Sequence, residues 1–294
     1  MKKKIIVVSG GAGFIGSNLI KFLLKKTNFR IISIDNYSSG SIKNHIKDTR
    51  VKYIYSDIKQ ISKILNFCKK KIITIFHFGE FSRIHESFKN IDSCINYNLC
   101  GTNEVFRFCL KNKIKVIYSA TSASLGNNGK DKILSPYALT KSNNLELLNF
   151  LNKWFGLKYE ILYFYNVYGP GQIETGKMAT VIGIFQNQYK RNEPLTVVKP
   201  GNQSRKFTHI DDVVDGCYHA FKKNLNRHYA IFNNKSYSII EVAKMFNRKI
   251  ILIEKKLGER FKSAIVNKSQ NIKIYKIKCK ISLKKYISDF LIKN

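Results

Sequence analysis

The sequence predicts an α/β fold: a doubly wound parallel sheet followed by a smaller α/β substrate-binding lobe. Three observations predict it. Apolar, β-branched runs alternate with helical patterns through the first half of the chain. A glycine triplet at Gly10, Gly13 and Gly16 joins the first such run to the first helix. After Tyr168-Gly169-Pro170-Gly171 the pattern loosens into short elements broken by Pro194 and Pro200. Strands that alternate with helices are joined by crossovers, and crossovers make the strands parallel. The 294 residues, 44% of them hydrophobic, are enough for a large core. The boundaries expected are 1–168 for the first domain, with a return segment near 206–236, and 169–294 for the lobe.

Each element has its own signal. Ile5-Ile6-Val7-Val8 reads as a buried strand, and Ile15, Leu19, Phe22 and Leu23 recur at helical spacing after Phe14. Arg30 to Ile34 is a second strand that ends on Asp35. Strands follow at 52–55, Ile72–Phe78, Ile114–Ser119 and Tyr159–Tyr165, with helices at Ile61–Lys69, Ile91–Leu110 and Pro136–Phe155. Asp211 and Asp212 open a helix in the lobe, as its cap rather than as catalysts, and the tail from Lys273 is short and lysine-rich. There is no internal repeat or low-complexity stretch.

Strand, glycine turn, helix, strand and acid form the dinucleotide-binding unit of a Rossmann domain. Glycines let the backbone approach a pyrophosphate, and the helix N-terminus offers it free N–H groups. Gly10, Gly13, Phe14, Ile15 and Gly16 are the expected cradle. Asp35, close to the usual ~20 residues beyond, accepts from ribose hydroxyls. Its charge repels a 2′-phosphate, which favours NAD over NADP. Asp57-Ile58, after the third strand, holds adenine on one reading and caps a helix on the other.

A net charge of +33 admits binding to nucleic acid or an anionic surface. Against that, lysines spread along the whole chain, with asparagine and isoleucine also plentiful, indicate compositional drift. No specific nucleic-acid partner is expected. The six cysteines contain no C-x-x-C pair, so neither a metal site nor a disulfide framework is expected, and a cytoplasmic protein is. No run approaches the ~18 apolar residues of a membrane span, and the stretch after Met1-Lys2-Lys3-Lys4 is too short for a secretory signal.

Tyr137 and Lys141 stand one turn apart at the start of a helix that Ser135 can cap and Pro136 suits. A free phenol, with pKa ~10, is a poor base at neutral pH. An ammonium and a nicotinamide ring beside it favour the phenolate, which can then exchange a proton with a sugar hydroxyl. Thr121, at the tip of the strand before, can bond the same hydroxyl. Alone, a Tyr-x-x-x-Lys pair is usually a surface accident; behind a dinucleotide turn the catalytic reading is preferred.

With these motifs the chain resembles the extended short-chain dehydrogenase/reductase family, in particular its NAD-dependent nucleotide-sugar epimerases and dehydratases. The further carriers are Ile34 to Gly40, Phe76-His77-Phe78, Asn98 to Thr102, Ser119-Ala120-Thr121, Asn166 to Pro170 and Arg205 to Val213. The resemblance implies that Asn36, Phe78 and Asn98 contact the cofactor with the glycine turn. It implies that Ser122, Asn166, Arg205 and Lys256 contact a UDP-sugar, with Arg205 gripping the diphosphate through its guanidinium fork. It implies a homodimer through the helices at Ile91–Leu110 and Pro136–Phe155, with Leu145, Leu148, Leu151 and Phe155 as candidates for the seam or for packing inside the subunit.

Family 4,6-dehydratases carry an Asp-Glu pair after the strand-tip threonine. Here Ser122-Ala123 stand there, so the resemblance implies 4-epimerisation of a UDP-hexose rather than elimination. Two departures matter. Gly79-Glu80 replaces a small pair, so Glu80 is either a sugar contact, an extra acid or base, or a residue with a local role, in hydrogen bonds or in a salt bridge to Arg83. Lys256 and Glu259 replace an Arg and an Asp, and a lysine meets diphosphate with less directionality.

Overall fold

The computed structural model describes residues 4–254 and 273–294. Eight strands form one sheet: β1 (Ile5–Ser9), β2 (Arg30–Asp35), β3 (Val51–Tyr55), β4 (Ile72–His77), β5 (Lys115–Thr121), β6 (Tyr159–Phe164), β11 (His228–Phe232) and β14 (Ile274–Lys278). Their spatial order is β14-β11-β6-β5-β4-β1-β2-β3, and every pair is parallel. Strand β1 is buried throughout, as its run of β-branched residues requires when helices cover both faces.

On one face lie α2 (Ile61–Leu65), α5 (Thr102–Asn112) and α6 (Pro136–Phe155), whose Phe106, Cys109, Leu145 and Leu148 pack on Val7, Val116 and Tyr118. On the other lie α1 (Phe14–Lys26) and α8 (Ile210–Lys222), where Leu19, Leu23, Val213 and Cys217 meet Ile6, Val8 and Ile117. Buried Lys115 bonds the carbonyls of Phe221 and Lys223 at 2.6 Å, closing the C-terminal end of α8.

A third core gathers Phe185 of α7 (Val181–Lys190), Leu195 and Val197 of β8 (Leu195–Val198), Val242 of α9 (Ile239–Lys244) and Ile287 of α10 (Leu283–Lys293). Short strand pairs surround it: β7 (Val167–Tyr168) with β10 (Thr208–His209), β9 (Ser204–Lys206) with β12 (Ser236–Ser238), and β8 with β13 (Ile250–Ile253).

Three elements differ from the sequence expectation. The helix expected over 91–110 is α4 (Ile91–Ile95), a π-helical turn over Asn96–Gly101, and then α5. The tail assigned to the lobe supplies β14, which joins the main sheet beside β11. The first turn of α8 does hold Asp211 and Asp212, but its cap is His209, whose ring accepts from the Asp211 N–H at 3.2 Å. Asp212 instead accepts the N–H groups of Lys280 and Ile281 at 2.9 and 3.0 Å, tethering the tail.

Candidate active site

Strand order reverses between β1 and β4, and parallel sheets open a crevice beyond the carboxyl ends of their strands at such a point. Here the crevice is a cavity of about 400 Å³ that runs from the glycine turn to Tyr137. Gly10 has φ +70°, and a β-carbon there would lie 2.8 Å from the Gly79 nitrogen at the end of β4. At Gly16 a β-carbon would lie 2.2 Å from the Gly10 carbonyl oxygen, so α1 packs directly on the turn. No side chain caps α1, whose N-cap is Gly13, and Phe14, Ile15 and Gly16 line the cavity. Free N–H groups at a helix start suit a pyrophosphate.

The Asp35 carboxylate accepts from the Ala12 N–H through one oxygen and the Tyr37 N–H through the other, both at 2.9 Å. It lines the cavity with Asn36, Ser38 and Ile58, and keeps lone pairs for ribose hydroxyls. The residues present therefore fit a dinucleotide. Asp57 takes the capping role: it accepts from the Lys59 N–H at 2.8 Å, starts a short 3-10 turn, and does not line the cavity.

The catalytic candidates arrive from β5 and α6. Ser135 caps α6 through the Ala138 N–H at 3.1 Å, and Pro136 follows at the first turn. Tyr137 is half-buried in the cavity wall, and its hydroxyl bonds to no described residue. Lys141 is buried one turn on. Thr121 ends β5, accepts from the Ala123 N–H at 3.1 Å, and lines the cavity with Ser122. Tyr137, Lys141 and Thr121 are thus brought to one wall.

Glu80 lines the cavity and is locked into local contacts. Its side chain is 1% exposed and ion-paired with Lys141, whose side chain is 5% exposed. The other carboxylate oxygen accepts from Tyr118 Oη at 2.9 Å, Thr102 Oγ1 at 3.1 Å and Asn144 Nδ2 at 3.3 Å. The partner expected from the sequence, Arg83, bonds the Met178 carbonyl instead. Burial, then the charge of Glu80, holds the Tyr118 phenol well above its usual range. His77 continues the network: Nδ1 meets Ser9 Oγ at 2.7 Å and Nε2 meets Thr102 Oγ1 at 2.9 Å. Thr102 spends its one proton on Glu80, so Nε2 carries the imidazole proton and Nδ1 accepts from Ser9. Burial pulls His77 down to about 4, which keeps this tautomer neutral. Ser9 Oγ in turn accepts the N–H groups of Phe78 and Gly79 at 3.1 Å, so the network reaches the glycine turn.

Asn98 stands behind the cavity wall. It is fully buried in the π-helical turn, and its carboxamide accepts the Phe81 N–H at 2.6 Å and donates to the Phe81 carbonyl at 3.3 Å. It clamps the loop after β4 and does not line the cavity. Asn166 and Phe78 do line it; Asn166, at φ +30°, donates to the Lys206 carbonyl at 2.8 Å. Arg205 lies on β9, buried, with one N–H on the Ser204 carbonyl at 2.9 Å, and is outside the cavity wall. Lys256 and Glu259 lie outside the described residues.

Arg83 is the residue that sequence reasoning did not assign to the site. Its guanidinium lines the cavity near Tyr137, burial pulls it below the usual arginine range, and its one hydrogen-bonding partner among the described residues is the Met178 carbonyl. The signal available was a lone arginine three residues past Glu80 in a loop at a strand's carboxyl end.

Comparison with known proteins agrees with this geometry. Residues 6–233 match the family described as NAD dependent epimerase/dehydratase family. ADP-L-glycero-D-manno-heptose-6-epimerase of Brachyspira hyodysenteriae is 33% identical over 82% of this chain and 79% of its own length. A putative UDP-glucose 4-epimerase of Methanocaldococcus jannaschii is 28% identical over 93% of this chain and 88% of its own. The crystal structure of a UDP-glucose 4-epimerase from Thermotoga maritima, with UDP-glucose, superposes with a TM-score of 0.87 at 24% identity, covering 98% of this chain and 97% of that one. At that identity the superposition establishes the fold. The family match runs from β1 through β11 and so includes both walls of the cavity. The chain belongs to the NAD dependent epimerase/dehydratase family, whose cofactor is NAD.

Proposed function

We propose that this enzyme is a 4-epimerase of a UDP-hexose. The observation that carries the reading is that, among the described residues, no carboxylate is free to act on the sugar. Two described acids line the cavity. Asp35 stands at the glycine turn and Glu80 is sealed against Lys141. Elimination of water needs an acid and a base beside C5 and C6, and Ser122-Ala123 provide neither. Epimerisation needs only one group that takes a proton from the 4-hydroxyl and gives it back, and Tyr137 stands ready for that. NAD, when bound, supplies the hydride acceptor and donor at C4. Thr121 holds the hydroxyl, and the Lys141 ammonium steadies the phenolate.

The test is mass spectrometry of purified protein incubated with UDP-glucose, UDP-galactose and their N-acetyl forms, with isomers separated by chromatography. A new peak of unchanged mass is expected. A product lighter by water or carbon dioxide would sink the proposal in favour of a dehydratase or decarboxylase. UDP-glucuronic acid belongs in the panel, because Arg83 offers a guanidinium to the cavity with no acid paired to it among the described residues.

A homodimer accompanies this reading. Leu145 and Leu148 are buried in the subunit's own core, and Leu151 packs against it, so these three candidates serve the monomer. The apolar surface of α6 lies elsewhere: Trp154 is 60% and Phe155 63% exposed, and Trp154 stacks on exposed Phe150 at 5.0 Å. Ile91 and Ile95 of α4, which packs on α6, are exposed too. Isolated exposed apolar residues need no partner, but five on adjoining helices indicate one. Trp154→Glu is expected to convert the dimer to a monomer in sedimentation velocity; an unchanged sedimentation coefficient would remove this face from consideration. Among the described residues no helix is long and apolar enough to cross a membrane.

A further inference from the structure

We propose that Glu80 is a positioning residue for Lys141: its carboxylate pins the ammonium against the Ser119 carbonyl and cancels part of the charge presented to Tyr137. The inference rests on the reading of Tyr137 as the proton-exchanging group, and it assigns a task to a residue that this reading leaves idle.

The geometry is specific. Lys141 has three protons to donate. One goes to Glu80, one to the Ser119 carbonyl at 2.5 Å, and the third to Ser119 Oγ, with Nζ 3.3 Å from it, beside the cavity wall. Both charged side chains are almost fully buried, so solvent screens the pair weakly. Nothing about Glu80 is loose. Tyr118 of β5, Thr102 of α5 and Asn144 of α6 all donate to its second oxygen, and neutral His77 holds Thr102 in orientation. Four elements thus fix where the ammonium sits before any ligand arrives. An unpaired lysine on a four-carbon stem would have many positions to sample.

The same pair sets how much positive charge Tyr137 meets. A bare ammonium favours the phenolate strongly, whereas an ammonium with a carboxylate behind it acts at a distance as a dipole. Other ionisable groups act on the pair without a hydrogen bond: Arg83 through its charge on Tyr137, Tyr118 with its ring 4.8 Å from Lys141 Nζ, and neutral His77; among the described residues no ionisable side chain but Glu80 bonds to the Lys141 or Tyr137 side chain. They remain the same in a Glu80 variant, so a comparison with the parent chain isolates Glu80.

The experiment uses Glu80→Gln, equal in shape and uncharged, in the full chain. Two quantities are measured against pH: kcat/KM, and the tyrosinate signal of Tyr137 in protein labelled with 13Cζ-tyrosine, assigned by its loss in Tyr137→Phe. Both the acid limb of the rate and the tyrosinate signal are expected to move to lower pH by about one unit, the usual size of one charge's effect across a partly buried site. A merely structural role would lower activity or melting temperature and leave both midpoints in place; unmoved midpoints in a folded variant overturn the proposal. Should the Gln variant not fold, Glu80→Ser, with room for a water, carries the same expectation. Glu80→Asp keeps the charge and is expected to hold the parent midpoints; a displacement equal to that of Gln also overturns the argument. The tyrosinate signal needs no turnover, so a wrong sugar assignment and a wrong role for Glu80 give different results.

Discussion

Tyr137→Phe lowers kcat by about 10²–10⁴-fold, the usual contribution of a positioned acid or base, while fold and NAD retention stay as they were. The reasoning follows from what the hydroxyl does and does not touch. It stands in the cavity wall and bonds to no described residue, so its removal leaves no buried donor or acceptor unmet. The ring stays, the Tyr137 N–H keeps its bond to Ser87 Oγ at 3.2 Å, and the Ser135 cap of α6 is untouched. Stability is therefore expected within about 0.5 kcal/mol of the parent, as for a substitution that breaks no buried contact. Sugar binding draws on other groups, so KM changes little. The check is steady-state kinetics on whichever sugar turns over, with urea unfolding and the bound nucleotide measured on the same preparation. Activity within tenfold of the parent would remove Tyr137 from the chemistry, and with it the proposed proton exchange at the 4-hydroxyl.

What the sequence made legible was chemistry that is local in the chain. Gly10 to Gly16 and Asp35 lie within one strand-helix-strand unit, and Tyr137 and Lys141 lie one helical turn apart. Each arrangement is determined by a few consecutive residues, and the structure places both on one cavity. The partner of Glu80 was not legible for the opposite reason. It sits 61 residues away on α6 and comes within reach only because α6 packs beneath β5, next to β4 in the sheet. The structural task of Asn98 was not legible either, because the π-helical turn that directs its carboxamide at Phe81 forms only in the packed fold. The apolar faces of α6 left two readings open. Leucines and aromatics occur on several sides of that helix, and periodicity alone does not say which side meets the sheet and which meets a second subunit. Strand β14, Ile274–Lys278, has lysines alternating with its apolar residues, which reads as a charged tail until β11 is seen to need an edge partner.

Lys141→Met is expected to cost both activity and fold, and a second substitution should separate the two losses. Removing the ammonium leaves the Glu80 carboxylate 1% exposed with only the neutral donors Tyr118, Thr102 and Asn144. Breaking a buried ion pair from one side typically costs about 3–5 kcal/mol, because the remaining charge is desolvated without its partner. That is a large part of the roughly 5–15 kcal/mol that holds a domain together. Adding Glu80→Gln removes the stranded charge, so the double variant should regain most of the lost stability. It should not regain activity, since no ammonium then supports Tyr137. Urea unfolding of the parent, both single variants and the double variant closes a cycle whose coupling term is the energy specific to the pair. Losses that simply add would mean that the two groups are not a paired unit, and the positioning role of Glu80 would fall with them. A coupled cycle with activity restored in the double variant would instead mean that Lys141 serves the fold and that Tyr137 needs no cation from it.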